Sequence, residues 1–390
     1  MKILLMPASY PAPGNPVSGV FYHEQAQALS AKHNVAVFAP RQIGWWEPHK
    51  WAKAQRFSDS EYEGIRVFRS CGMKLAPMQA LPGPMLKAYL ADARRSLERV
   101  IDAWGEPDLI HAHVTVPAGW AAVKLGEELG IPVVVTEHSS GFASWMSKPG
   151  MRSAVEQGMH GADQVIAVSP SLKERIENAL PRVDVTVVGN VVQTDRFVPI
   201  EAVKPTPVFR FLCIATLKKV KGVEYLIKAA SKLRDRGMDH FEVYIGGDGP
   251  ERDKLCNLAA QLDIGGKVQF LDLLDKNDVV DHVQSCDCLV APSLLETFCV
   301  ILAEAMSCGK PVISTKCGGP EWVVPDHAGV LVEPGNAVEL ADAMAAMISG
   351  RRKYDAAAIR QSIVDRFSPE KIVGELERVY EGIGLQAKRL

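Results

Sequence analysis

Glu296 and Glu304, eight residues apart, stand in the stretch APSLLETFCVILAEAMSCGKPVISTKCGGPEW, residues 291–322. The first lies in a polar loop, Ser293 to Thr297, that follows the apolar run CDCLVAP. The second lies on a helix-like segment from about Phe298 to Cys308, stopped by Gly309 and Pro311. A loop feeding a helix N-terminus presents N–H groups without intrahelical partners, here those of Phe298, Cys299 and Val300. Such a terminus holds anions. Carboxylates beside it are poor phosphate ligands but good acceptors for sugar hydroxyls. The chemistry suggested is a phosphate ester carrying sugars at both ends.

Other residue types point the same way. Lys218, Lys219 and Lys221 crowd the end of the strand-like FRFLCIATL and the start of the helix-like VEYLIKAASKLRDRG. Cations there suit a diphosphate. FEVYIGGDGP is a strand ending in a Gly-rich turn, where Gly247 and its neighbours allow close approach by a base or ribose. Asp248, between glycines, reads as a turn residue. Neither G-K-[ST] nor G-x-G-x-x-G is present, so neither a P-loop nor a dinucleotide fingerprint arises.

In the first half, KILLM runs into the loop PASYPAPGNPVSG, whose Gly19 opens the next helix. Gly19 is either a plain turn glycine or the place where a phosphate or acceptor nears the backbone. His111 and His113 alternate on one strand, and Glu137 and His138 end the next. Histidines at neighbouring strand ends suggest a crevice at the carboxyl edge of an open sheet, with His113 as a substrate contact. A zinc set with Glu137 matches no signature. Residues 41–56, RQIGWWEPHKWAKAQR, place Trp45, Trp46 and Trp51 among Arg41, His49, Lys50, Lys53 and Arg56. That pattern suits an acceptor groove, a contact with anionic lipid, or an excursion whose rings pack on the domain.

These groups need a scaffold. Strand, loop and helix alternate along the chain, as in an α/β protein built on parallel sheets. With 390 residues, two domains are expected. EAVKPTP, near 200–207, reads as the linker, and FSPEKIVGELERVYEGI as an amphipathic helix that packs back on the first domain. The net charge of -2 gives no general pull toward nucleic acid. Eight cysteines without a dense framework fit buried thiols in a reducing, cytoplasmic setting. Cys286-x-Cys288 lacks a second pair at metal spacing. MKILLMPASY reads as a first strand rather than a signal peptide, and no apolar run is long enough to span a bilayer.

Taken together, these residues resemble a retaining glycosyltransferase of the GT-B type, family four (glycosyl transferases group 1), over nearly the whole chain. E-x7-E is the most specific part. The LKKVKG loop, the GGDGP turn and the HAHV strand end follow in the family's order. The resemblance implies two Rossmann-like domains facing a central cleft: 1–203 on the acceptor side, 204–366 holding the nucleotide-sugar donor, and 367–390 returning to the first domain. It implies no catalytic metal. It likens Glu304 to the Glu that chelates the donor ribose and Glu296 to the Glu that touches the transferred sugar. Lys221 is similar to the Lys on the diphosphate, Gly19 to the loop glycine near it, and His113 to the His by the reacting centre.

The chain departs from the family twice. Ala215-Thr216 stands where Gly-Arg is usual, leaving Lys218 or Lys219 to compensate. Phe298-Cys299 stands where Phe-Gly is usual. Cys can serve there through its backbone N–H provided φ stays negative, although its side chain narrows the sugar pocket.

The expected reaction is metal-independent, front-face hexosyl transfer from a nucleotide-diphosphate sugar, uridine or guanosine ahead of adenosine. The expected acceptor is a sugar or lipid-linked hydroxyl of a cell-envelope glycan precursor, with peripheral contact to the inner face of an anionic membrane. A nucleotide-sugar epimerase of the same architecture and a non-catalytic sugar-nucleotide-binding protein are the alternatives, with a Rossmann oxidoreductase behind them.

Overall fold

The computed structural model describes all residues except 13–16, 75, 79, 201–207, 351–352 and 388–390. The chain divides into two compact units, Met1–Val191 with Ile372–Leu390, and Val192–Lys371.

The first unit is an eight-stranded sheet. In chain order its strands are β1 (Lys2–Pro7), β2 (Asn34–Gly44), β3 (Phe57–Tyr62), β4 (Ile65–Lys74), β5 (Leu109–His113), β6 (Val133–Glu137), β7 (Gln164–Ala167) and β8 (Val185–Val187). Their spatial order is β3-β4-β2-β1-β5-β6-β7-β8. All pairings are parallel except β3 with β4. β5 and β6 are buried at every position, as expected where helices cover both faces of a parallel sheet. The helix Pro170–Ala179 starts from Ser169, whose hydroxyl accepts from the Leu172 N–H, while Pro170 fills the first turn.

The second unit is a six-stranded parallel sheet of β9 (Phe209–Ile214), β10 (Phe241–Gly246), β11 (Val268–Phe270), β12 (Cys288–Ala291), β13 (Val312–Thr315) and β14 (Gly329–Val332). Its order is β11-β10-β9-β12-β13-β14. Phe211, Cys213, Val243, Ile245 and Val290 pack from one face against Leu226, Ile227, Leu340 and Met344 of two covering helices.

Strand order reverses once in each sheet. β1 lies between β2 and β5, and β9 between β10 and β12. Ligands of open α/β sheets bind outside the carboxyl ends of strands at such points. The loops that leave β1, β5, β9 and β12 there carry most of the candidate residues.

The linker expected at 200–207, and with it the 203/204 boundary, lies outside the described residues. The segment before it belongs to the second unit. Val192 N–H donates to the Phe367 carbonyl at 2.9 Å, and the Arg360 guanidinium donates to the carbonyls of Thr194 and Phe197. At the other end the chain joins the first unit from Ile372, part-way along the helix Pro369–Ala387. No helix among the described residues is long and apolar enough to cross a membrane. All eight cysteines are unpaired.

Candidate active site

In the second unit, three backbone approaches bring the lysine loop to the glutamate loop. β9 is followed by a short helical turn, Lys219–Lys221, and then Gly222 at φ 63°. A Cβ on Gly222 would lie 2.0 Å from the Pro292 carbonyl oxygen, so this contact and this dihedral admit only glycine. Leu294 N–H donates to the Val220 carbonyl at 2.8 Å. The GGDGP turn buttresses the same loop from the other side. Gly247, at φ 120°, holds its Cα where a Cβ would meet the Ala215 carbonyl oxygen at 2.0 Å, and Leu217 N–H donates to the Asp248 carbonyl. The Cβ position of Gly247 is thus filled by the Ala215 backbone.

This packing turns Lys221 inward. Its Nζ donates to Glu296 Oε1 at 2.7 Å, and the Ser293 hydroxyl donates to the same oxygen at 2.8 Å. The Lys221 side chain is 29% exposed and that of Glu296 10%. Burial works against the lysine's charge, but Glu296, helped by Cys299 and Cys317, outweighs it, so the ammonium titrates above the ordinary lysine range. Lys218 and Lys219 are exposed, as is Thr216.

Glu296 is also pinned through its backbone. Its N–H donates to the Cys317 carbonyl and its carbonyl accepts from Gly319 N–H, an isolated parallel bridge to the KCGGPE turn. A Cβ on Gly319 would meet the Phe298 nitrogen at 2.4 Å. The Phe298 ring is core, edge-on to Phe367 and Trp322 at 5.0 and 6.0 Å.

The helix begins at Val300, not Phe298, and runs to Ser307. Cys299 is its N-cap at φ 74°, ψ 69°. The proviso of a negative φ therefore fails, and Cys299 takes the left-handed conformation that a glycine would take freely. The thiol is held within reach of Glu296, Lys221 and Cys317. Burial, with Glu296 adding to it and Lys221 opposing, pushes it well above the ordinary cysteine range. Glu304 lies on this helix, half-buried, about one turn past its start.

In the first unit, Gly19 and His113 meet through Tyr22. Gly19, at φ 74°, caps the helix Val20–Ser30, and a Cβ there would lie 2.6 Å from the Ser9 carbonyl oxygen. Its carbonyl accepts from Tyr22 N–H, and the Tyr22 ring packs on His113 at 4.9 Å. His113 ends β5 in register with Pro7 of β1, and its carbonyl accepts from Ala8 N–H.

The histidines expected to line a crevice are instead interior. His111 and His113 share a face and stack at 4.5 Å, 27° apart. His111 Nδ1 bonds the Tyr380 hydroxyl and Nε2 the Thr136 hydroxyl, both at 2.7 Å. His113 Nδ1 lies 3.0 Å from His138 Nε2, while His113 Nε2 has no partner among the described residues. Burial first, then His111 and His138, holds His113 neutral, well below the ordinary histidine value. Burial also lowers His111 and His138 to about 3. Glu137 is committed to the backbone: one oxygen accepts from Thr115 N–H and hydroxyl, the other from the N–H groups of His138 and Ser139. Among the described residues no three His, Cys, Asp or Glu side chains converge as metal ligands.

Ser293, Gly222, Cys317, Tyr22 and Tyr380 were not singled out from sequence. Gly222, directly between Lys221 and a helix start, carried the one readable signal.

Two family models match adjoining parts of the chain. The Glycosyltransferase Family 4 model matches residues 18–196 and the Glycosyl transferases group 1 model residues 194–362. Among curated relatives, the chain is 29% identical over 364 residues to TuaC of Bacillus subtilis (strain 168), named as a putative teichuronic acid biosynthesis glycosyltransferase, covering 88% of each chain. It is 28% identical over 286 residues to the N-acetyl-alpha-D-glucosaminyl L-malate synthase of Bacillus anthracis, covering 70% of this chain and 74% of that one. Among solved structures, Anabaena Alr3699/HepE in complex with UDP shares the fold, with a TM-score of 0.74 at 21% identity over 98% of this chain and 100% of that one. With both units matched by glycosyltransferase models and both built as Rossmann-like parallel sheets, the chain is a glycosyltransferase of the GT-B fold.

Proposed function

We propose that the enzyme moves a sugar, with retention of anomeric configuration, from a nucleotide-diphosphate sugar to a hydroxyl of a lipid-linked or cell-envelope glycan precursor. The observation that carries this reading is the cluster of Lys221, Glu296 and Ser293 beside the N-terminus of the helix Val300–Ser307, at the carboxyl ends of β9 and β12. A lysine and helix N–H groups there suit a diphosphate, and a carboxylate held by them suits a sugar hydroxyl. The UDP bound in the Anabaena structure favours a uridine donor, and the name of the Bacillus subtilis relative favours an envelope glycan.

In this mechanism the bond from the anomeric carbon to the diphosphate oxygen breaks and the bond to the acceptor oxygen forms on the same face. The acceptor's proton passes to the leaving diphosphate. Lys221, with the N–H groups of Phe298, Cys299 and Val300, stabilises the charge that grows there, and exposed Lys218 adds to it. Glu304 accepts from the ribose hydroxyls and Glu296 orients the transferred sugar. The Gly19 loop lets acceptor or phosphate near the backbone, and His113 acts on the transferred sugar. Transfer should persist in excess chelator; loss restored by magnesium or manganese would overturn the metal-free mechanism.

Titration calorimetry with nucleotide diphosphate and intact donor tests the assignment, the donor first being found from a panel read by mass spectrometry. Glu304→Gln should weaken both ligands by roughly 1–3 kcal/mol, the value of a hydrogen bond to a charged group. Glu296→Gln should spare the nucleotide and damage donor binding or kcat. Equal losses for both ligands in both variants would sink the separate roles.

A further inference from the structure

β2 and β4 overrun their sheet. β1 pairs with β2 only as far as Leu5↔Val37, and β3 pairs with β4 only to Phe57↔Ser70. β2 and β4 continue together from Arg41↔Cys71 to Gly44↔Lys74 as a two-stranded tongue at the carboxyl edge. Residues 41–44, expected to begin an excursion, are thus ordered strand.

The tongue ends in aromatic side chains turned to solvent. Trp45 is 62% exposed, Trp46 46% and the neighbouring Met73 39%. Trp45 N–H donates to the Lys74 carbonyl, which locks the tip to both strands. The two indoles meet edge to face at 6.3 Å, and Trp46 lies over Gly44, where a Cβ would come within 2.4 Å of its ring. This is an exposed apolar tip. Arg41, His49, Arg56 and Lys74 flank it in sequence and register, all exposed but the half-buried Lys74, and Lys50 lies beside them in an ion pair with Glu47. The acids near by are already engaged: Glu47 pairs with Lys50, and Asp92, which lies over Gly72, pairs with Arg95.

We propose that this tongue docks the enzyme on the surface of an anionic lipid bilayer, Trp45 entering the headgroup layer and the cations resting on the lipid charge. The proposal deepens the reading of a lipid-linked acceptor and rests on it for its purpose. The docking itself is read from the tongue. Exposed indoles belong at a membrane interface, where one face is apolar and the other wet. Lysine is depleted where protein meets protein, which weighs against a protein partner for a tip bordered by Lys50 and Lys74. A projecting tip, rather than a concave groove, also argues against a stacked sugar acceptor.

The test is flotation of the full-length protein with vesicles of phosphatidylcholine alone or mixed equally with phosphatidylglycerol. Anionic vesicles should carry the protein at low salt, neutral ones much less, and rising salt should release it. Each cation near the surface is worth roughly fivefold in partitioning, so Lys74→Glu should cost at least that on anionic vesicles. Trp45→Ser should lower partitioning on both. Neither variant touches the donor cluster, so nucleotide binding by calorimetry should match the parent and certify the fold. No flotation of the parent with anionic vesicles overturns the proposal, even where nucleotide binding is intact. So does parent-like flotation of Trp45→Ser; a raised acceptor KM in that variant would then mark the tip as a sugar platform. Loss of nucleotide binding in Glu304→Gln with flotation unchanged tests the donor site separately.

Discussion

Lys221 and Glu296, 75 residues apart in sequence, are joined Nζ to Oε1 at 2.7 Å, with Ser293 donating to the same carboxylate oxygen. The pair places a cation and a sugar-type acceptor side by side where the strand order of the second sheet reverses.

The pair should be visible in stability against pH. The folded-state value of Lys221 lies above the unfolded one. Its contribution is therefore fully present below about pH 10.4, the ordinary lysine value, and is lost as pH rises through the folded value. Lys221→Met should lower stability by about 1–3 kcal/mol near neutrality, since Glu296 keeps its burial and loses its charged partner. The gap between parent and variant should be flat from neutral to mildly alkaline pH and narrow above that. Thermal denaturation across pH checks it; a gap that does not narrow would rule the ion pair out as its source.

Gly222→Ala should separate the pair without removing either member. The new Cβ meets the Pro292 carbonyl at a φ of 63°. The left-handed conformation costs about 1–2 kcal/mol, and the clash adds about 1–3 kcal/mol. Denaturant unfolding should show the combined loss, with nucleotide-diphosphate affinity falling as well. Parent-like affinity would mean that the lysine loop does not hold the diphosphate.

Cys299 sits at φ 74°. Cys299→Gly should relieve up to about 1 kcal/mol of strain, while β-branched Cys299→Val should lose at least that much. The glycine also opens space beside Glu296, so the range of donor sugars accepted should widen. Thermal midpoints and a donor panel read the two effects. A glycine variant less stable than the valine variant would show that the thiol's packing outweighs the dihedral.

The buried histidines predict acid sensitivity. His111, His113 and His138 all titrate below the ordinary value in the folded state. Each contributes stability present above about pH 6.5 and lost as pH falls toward the folded value, at up to about 1.4 kcal/mol per pH unit. Glu137, raised by burial, works in the opposite sense. Calorimetric unfolding near pH 5.5 should take up protons, and His111→Asn should remove about one of them. His113→Ala should in addition lower kcat strongly while donor affinity stays within a few-fold, the signature of a contact made in the transition state. Intact turnover with reduced thermal stability would make His113 a structural residue.

Much of the scaffold was readable because hydrophobic patterning is local. Runs such as KILLM, VVVT and CLVA are buried parallel strands. The E-x7-E spacing and the lysines after FRFLCIATL stood at the right ends of the right elements. Local signals read less well where a polar strand or a special dihedral intervened. β3, FSDSEY, has little apolar content and forms because Glu63 and Gly64, at φ 44° and 82°, make the tight turn that folds it back on β4. At Cys299 the residue type itself disfavours positive φ, so the left-handed cap runs against its local preference.

Which loops meet is a different kind of information. The burial of the histidines depends on Tyr22 from the first helix and on Tyr380, 269 residues beyond His111. The overrun of β2 and β4 depends on where β1 and β3 stop. Residue types and spacing by themselves determined the elements, the candidate carboxylates and lysines, and the class of chemistry. The tertiary structure alone decided that Lys221 turns inward to Glu296, that Cys299 takes a glycine's conformation and that the histidines are buried. Strand order sets those neighbours, and it is chosen by how whole elements pack, which no short window of sequence encodes.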